Sequence, residues 1–104
     1  MTLRELLDDA TGDLAGAVRE AGRDGEVTWM RAGRAFASVT PDGSVAGFAL
    51  DQAVADAAAR TPDVTRSDRG PGWVTFAPAD LDDHAADRAL AWFASAHRRL
   101  EPRN

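Results

Sequence analysis

The chain of 104 residues contains no cysteine, lysine, tyrosine or isoleucine. Without cysteine it has neither disulfides nor a thiolate nucleophile, and a metal site would have to use histidine and carboxylates. Without lysine or tyrosine, covalent catalysis through an amine or a phenol is excluded as well. All 12 basic residues are arginine, most acidic residues are aspartate, and alanine is abundant. We interpret this bias as the mark of a GC-rich genome, such as that of an actinobacterium.

The net charge of −5 argues against binding to nucleic acid and to anionic membranes, because phosphate groups repel the chain as a whole. No apolar run reaches the roughly 20 residues that a membrane span requires. Residues 1–9 include Asp8 and Asp9, unlike a secretory signal peptide, and we expect a cytoplasmic protein. The length and an apolar fraction of 44% predict one globular domain.

Three segments show the 3.6-residue apolar spacing of amphipathic helices. The first covers residues 2–21 and begins with a capping box formed by Thr2 and Glu5. The second, short and rich in alanine, covers residues 51–60. The third follows residue 78 and ends near residue 100, with aspartates at its start and arginines at its end, as the helix dipole favours.

Five short segments between turn signals predict β-strands. They are residues 27–30, 35–39, 45–50, 64–66 and 73–77. The short connections between the first three predict antiparallel pairing, and the weak strand at 64–66 is expected at an edge. The sequence therefore predicts an α+β fold of order α-β-β-β-α-β-β-α, with a five-stranded antiparallel sheet and the first and third helices on one face.

The predicted inner strands are apolar on both faces, whereas a sheet with one solvated face would alternate apolar with polar residues. Phe36 and Phe48 are expected on one side and Ala37 on the other, and Trp73 and Phe76 oppose each other in the same way. Two long helices cover one face, and the short helix is too small to cover all of the second. We expect loops or another chain to cover the remainder.

Short motifs at residues 33–37, 72–74 and 95–100 carry a resemblance to known families. In these motifs and in the order of its elements, the chain resembles YjbR (MmcQ)-like proteins of the type III secretion-chaperone-like fold. It is also similar to the TfoX N-terminal domain, and residues 42–76 resemble a small actinobacterial family labelled luciferase-like. Secretion chaperones are acidic dimers that hold partner segments along apolar grooves, so the resemblance implies a self-associating or partner-binding domain.

The leading hypothesis is a non-enzymatic binding domain, either a homodimer or a module for a protein or a small apolar ligand. The alternative is a ligand-binding or enzymatic domain with a pocket walled by tryptophan and histidine, namely by Trp29, Trp73, Trp92 and His97. No cofactor is indicated. The candidate contact residues are Trp29, Phe36, Phe48, Trp73, Phe76, Trp92 and His97.

A second candidate site consists of two arginine pairs, Arg31 with Arg34 and Arg66 with Arg69. If the pairs meet at one end of the sheet they bind an anion, and a weak DNA-binding function of the YjbR type depends on them. Scattered surface arginines are the interpretation that we favour for these four residues.

Metal and phosphate sites have weaker signals. His84 lies close to Asp83 and Asp87 at a helix start, but without a second cluster these residues predict a solvated first turn. The glycines at residues 70 and 72 precede a strand and not a helix, which is the reverse of what a phosphate-binding loop needs.

Overall fold

The computed structural model describes residues 1–101, which form three helices and one antiparallel sheet of six strands. The helices are α1 (Leu3–Thr11), α2 (Gln52–Ala58) and α3 (Asp83–Arg99). The strands are β1 (Ala17–Ala21), β2 (Val27–Arg31), β3 (Arg34–Val39), β4 (Ala46–Ala49), β5 (Val64–Arg66) and β6 (Trp73–Phe76). Their order across the sheet is β1-β2-β3-β4-β6-β5. The α+β class is confirmed, but the predicted number of five strands is wrong.

The first helix is about half as long as predicted. It begins at the predicted cap, where Thr2 Oγ1 accepts a hydrogen bond from the Glu5 amide at 3.2 Å. It ends at Gly12, the C-cap residue. Gly16 has a φ of +71°, which an α-helix cannot contain, so the chain has left the helix before that point.

The rest of the segment predicted as helix is the edge strand β1. Ala17–Ala21 pairs with Val27–Arg31, so the strand predicted at residues 27–30 has an additional neighbour. Leu14 and Ala17 still pack against the core, which continues the apolar spacing without a helix. Strand pairing therefore overrides a pattern that, read locally, favours a helix.

The remaining elements lie within a few residues of their predicted positions. The strand β5 is at an edge of the sheet, and β6 is an inner strand between β4 and β5. The cap of α3 is Asp82, whose Oδ1 accepts a hydrogen bond from the Ala85 amide at 2.8 Å. No helix among residues 1–101 combines the length and hydropathy of a bilayer-crossing segment.

The core lies between the sheet and the helices. Trp29 of β2 meets Phe93 of α3 edge to face, with ring centres 5.3 Å apart. Trp92, the residue before Phe93 on α3, packs edge to face against Phe76 of β6, with ring centres 5.2 Å apart. The indole Nε1 of Trp29 donates a hydrogen bond to Thr11 Oγ1 at 2.8 Å, so this buried polar group is paired and α1 is tied to the sheet.

All three helices lie on the same side of the sheet. Val64 of β5 is buried in the core, and Arg66, two positions later, faces the same side. Arg66 binds Asp56 of α2 at 2.8 Å, which places α2 on that side too. The prediction that the short helix covers part of the second face is therefore wrong. Among residues 1–101 no helix covers that second face, which we call the open face.

A β-bulge on β3 accounts for part of the apolar surplus that the sequence shows. The pairing with β2 shifts between Trp29 and Met30, which leaves Phe36 as an extra residue. Phe36 packs against Phe93 of α3 with ring centres 5.6 Å apart, and its neighbour Ala37 is also fully buried. The predicted placement of Phe36 and Ala37 on opposite faces is wrong, because the bulge turns both side chains toward the helices.

Candidate functional site

A row of small residues, most of them polar, crosses the open face perpendicular to the strands. Directly paired residues of antiparallel strands lie on the same face, so the pairing across the sheet defines the row. We call it the polar row. One residue from each strand contributes, in the order Glu20, Thr28, Ser38, Gly47, Thr75 and Thr65.

Three larger apolar side chains flank the polar row on the open face. Val18 of β1 pairs with Met30 of β2, and Trp73 lies on β6 at the other side of the sheet. Val18 is 58% exposed. Among residues 1–101, Met1 is the only other large apolar residue that is exposed. Met30 and Trp73 are half-buried. The open face therefore offers apolar surface beside its hydroxyl groups.

The loop between β5 and β6, residues 67–72, returns over the open face. The guanidinium of Arg69 lies 5.2 Å from the centre of the Trp73 ring, in a cation–π arrangement. Its Nη2 also lies 2.8 Å from Oε1 of Glu26, which immediately precedes β2. We call this ion pair the Glu26–Arg69 bridge. It joins two segments that the strands β3 and β4 separate.

A pocket of about 120 Å³ lies beside this bridge, and we call it the polar pocket. Gly47 leaves room for it: a Cβ atom there would lie 2.9 Å from Ser38 Oγ and 3.5 Å from the Trp73 ring. A side chain at position 47 would therefore fill the space. The hydroxyl residues that line the pocket are Ser38, Thr40, Ser67 and Thr75.

The structure separates the seven predicted contact residues. Four are fully buried in the core and cannot meet a partner without unfolding: Trp29, Phe36, Phe48 and Phe76. Trp92 and His97 belong to α3, on the helix side, and only Trp73 faces the open side. Trp29, Trp73, Trp92 and His97 therefore do not wall one pocket, and that prediction is corrected.

His97 joins three elements of the fold. Its Nε2–H donates a hydrogen bond to the carbonyl of Ala15 at 2.6 Å, between α1 and β1. Its own carbonyl accepts a hydrogen bond from Arg31 Nη1 at 3.0 Å, and its ring packs against Phe36 at 5.6 Å. The side chain is buried and hydrogen-bonded, so its contacts are those of a structural histidine.

The four arginines do not form one cluster. Arg31 and Arg34 flank the turn between β2 and β3, whereas Arg66 ends β5, which β4 and β6 separate from β3. Three strand spacings correspond to about 14 Å. Arg69 is held by the Glu26–Arg69 bridge, and the hydrogen bond from Arg66 lowers the pKa of Asp56 below its ordinary value of 3.8. The four arginines are therefore scattered, as the favoured interpretation has it, and do not converge on an anion site at one end of the sheet.

No group of three or more histidine, cysteine, aspartate or glutamate side chains within the described part of the chain is placed to hold a metal ion. His84, Asp83 and Asp87 are exposed on the first turn of α3. Carboxylates there interact favourably with the helix dipole, which accounts for their position.

Neither the polar row nor the polar pocket was predicted from the sequence. Thr28, Ser38, Gly47 and Thr75 lie inside predicted strands, whereas Glu20 lies in the segment predicted as helix. The available signal was that each of those four strands carries a single small polar residue or glycine among apolar neighbours.

Neither the protein-family models nor the curated proteins compared with this chain give a match.

Proposed function

We propose that the chain is a small, non-enzymatic binding domain of the cytoplasm that self-associates through its open face. One observation carries the proposal: no helix among residues 1–101 covers this face, yet it displays Val18, Met30 and Trp73. A sheet face that remains in water normally carries polar side chains, and these three apolar side chains depart from that pattern. Two such faces can stack about 10 Å apart, as sheets do in sandwiches, and bury these apolar groups.

The charge distribution supports contact between two copies at this face. Two like-charged chains repel each other, and the net charge here is −5. The acidic Asp9 and Asp83 are exposed on α1 and α3, on the opposite side of the molecule. On the open face the charge of Glu26 is neutralised by Arg69, and Glu20 of the polar row adds one exposed carboxylate at the β1 edge. Two copies that meet at this face therefore have to keep their Glu20 side chains apart.

The size of the open face indicates the class of interface that it can form. Six strands span about 24 Å and a strand of five residues about 17 Å, a projected area of roughly 400 Å². Specific interfaces usually bury about 800 Å² of accessible surface on each partner, and obligate dimers bury more. A single sheet face of this size is typical of a weak, reversible dimer and not of an obligate one.

The order of elements also supports the proposal. The resemblance to YjbR-like and secretion-chaperone-like proteins implies the order α-β-β-β-α-β-β-α. The chain has this order with one additional strand, β1, inserted after the first helix. That resemblance also implies self-association or the holding of a partner. The edge strand β1 bears Val18 and widens the open face.

Sedimentation equilibrium over about 5 µM to 500 µM tests the proposal with a matched pair of variants. Val18→Asp places a charge on the open face, and Ala91→Asp places the same charge on the exposed side of α3. We expect the wild type and Ala91→Asp to exceed the monomer mass as concentration rises, and Val18→Asp to remain monomeric. A wild type that stays monomeric throughout this range refutes self-association.

The polar pocket favours a second candidate function, the binding of a small polar ligand. It combines hydroxyl groups with a guanidinium and a carboxylate around one small space, the arrangement by which many ligand sites fix orientation.

A further inference from the structure

The polar pocket contains hydroxyl groups that the protein leaves unpaired. Ser38 is only 5% exposed and lines the pocket, and its hydroxyl has no hydrogen-bond partner among residues 1–101. The hydroxyl of Thr75 beside it is unpaired within the same residues. Neither hydroxyl is enclosed in the core: both open onto the pocket, where each can donate and accept hydrogen bonds.

The walls of the polar pocket add both hydrogen-bond donors and hydrogen-bond acceptors. Ser67 Oγ accepts a hydrogen bond from the Arg69 amide at 3.2 Å, which leaves its O–H free to donate. The hydroxyl of Thr40 has no proton left to donate, because it donates to Asp42 at 2.8 Å, and it also accepts from the Val45 amide at 3.2 Å. The Glu26–Arg69 bridge uses one carboxylate oxygen of Glu26, and the second oxygen is available as an acceptor.

The charges around the pocket favour a neutral ligand. A phosphate or a carboxylate would meet the carboxylate of Glu26, and a cation would meet the guanidinium of Arg69. A zwitterion would have to separate an ion pair with a distance of 2.8 Å. A neutral molecule leaves the bridge intact and needs only groups that both donate and accept, which describes hydroxyls.

The volume limits the size of what enters. At about 120 Å³ the polar pocket is somewhat smaller than a cavity of roughly 150 Å³ that holds benzene. It accommodates about five or six heavy atoms. We propose that the polar pocket binds a vicinal diol, in which one hydroxyl meets Ser38 and Thr75 and the other meets Ser67 and Glu26. The source of the diol is either a free polyol or a sugar residue.

Amide NMR titrations of the full chain test the proposal. The probes are glycerol for a free polyol, methyl α-glucoside for a sugar residue, of which only one diol edge would enter the pocket, and 1-propanol, which has the same carbon chain as glycerol and a single hydroxyl. We expect saturable shifts at Ser38, Gly47 and Thr75 with at least one diol and none with 1-propanol. The diol that binds more tightly identifies the source.

A matched pair of substitutions locates the binding site. Thr75→Val removes a pocket hydroxyl, and Thr65→Val makes the same change in the polar row outside the pocket. Thr75→Val is expected to weaken diol binding about fivefold, the loss of roughly one neutral hydrogen bond. Thr65→Val is expected to leave it unchanged. Ser38→Ala provides a second pocket variant if Thr75→Val does not fold.

The titrations are repeated on Val18→Asp, so that self-association does not hide the pocket. Saturable binding to that variant supports the diol site even if the wild type is a dimer that covers it. The inference is overturned if neither protein shows saturable shifts with either diol, if 1-propanol produces the same shifts, or if Thr75→Val and Ser38→Ala bind the diol as tightly as Thr65→Val does.

Discussion

Arg69 and Glu26 form an ion pair across the open face, with Nη2 and Oε1 2.8 Å apart, although 43 positions separate them in the chain. The same guanidinium lies over the ring of Trp73 at 5.2 Å. Both contacts fasten the loop of residues 67–72 to the sheet. The loop is therefore part of the open face, and the position of Trp73 depends on Arg69.

Replacement of Arg69 by alanine measures these two contacts together. A partly exposed ion pair contributes up to about 1 kcal/mol and an exposed cation–π contact about 0.5–1 kcal/mol. We expect Arg69→Ala to lower the free energy of unfolding by about 1 kcal/mol and to increase acrylamide quenching of tryptophan fluorescence. Arg23→Ala, in the exposed turn between β1 and β2, is the control and should change neither. Unchanged quenching in Arg69→Ala contradicts the packing of Arg69 on Trp73.

The two tryptophans on opposite faces of the sheet differ in their expected contribution to stability. Trp29 is fully buried against Phe93, so Trp29→Ala should cost about 3–5 kcal/mol in urea unfolding. Trp73 is half-buried on the open face, and Trp73→Ala should cost about 1–2 kcal/mol. Equal losses for the two variants would show that Trp73 is a core residue.

Two glycines near the end of α1 distinguish the short helix from the long one. Gly16 has a φ of +71° and no atom closer than 3.9 Å to a built Cβ, so Gly16→Ala tests the backbone alone. We expect it to destabilise the protein by about 1 kcal/mol. Gly12→Ala, where φ is −62° and the space is open, should be neutral or slightly stabilising. A helix that continued to residue 21 would make both substitutions stabilising.

The hydrogen bond between Arg66 and Asp56 should be visible in the pH dependence. It lowers the pKa of Asp56 below 3.8, with a smaller contribution from Gln52. A lowered folded-state pKa means that this stabilisation is complete above about pH 3.8 and is lost as the pH falls through the lower value. Arg66→Gln should raise the pKa of Asp56 toward 3.8 in carboxyl-carbon NMR. The pKa of Asp42, lowered by the Ser44 amide and by Thr40, should not move.

Local signals predicted those elements whose boundaries depend on nearby residues. The cap at Thr2 and the aspartates at the start of α3 correctly marked two helix starts. The opposite orientation of Trp73 and Phe76 follows from strand alternation alone, and the structure has it. In each case the stabilising partner lies within a few positions in the chain, so the sequence contains the necessary information.

The errors arise where distant segments decide the structure. Residues 17–21 have helical apolar spacing but form a strand because they pair with β2. Phe36 is a bulge residue only because of the register between β3 and β2. The polar row likewise depends on the register of six strands, so its members are as much as 55 positions apart, from Glu20 to Thr75. Periodicity within one segment cannot report any of these relations.

The central claim, that the open face is the surface by which the chain self-associates, is tested most directly by a dilution series of amide NMR spectra. Between about 10 µM and 1 mM, we expect concentration-dependent shifts at Val18, Thr28, Met30 and the indole of Trp73. We expect no such shifts on the outer surfaces of α1 and α3. Shifts confined to those helices, or no shift at any concentration, would contradict it.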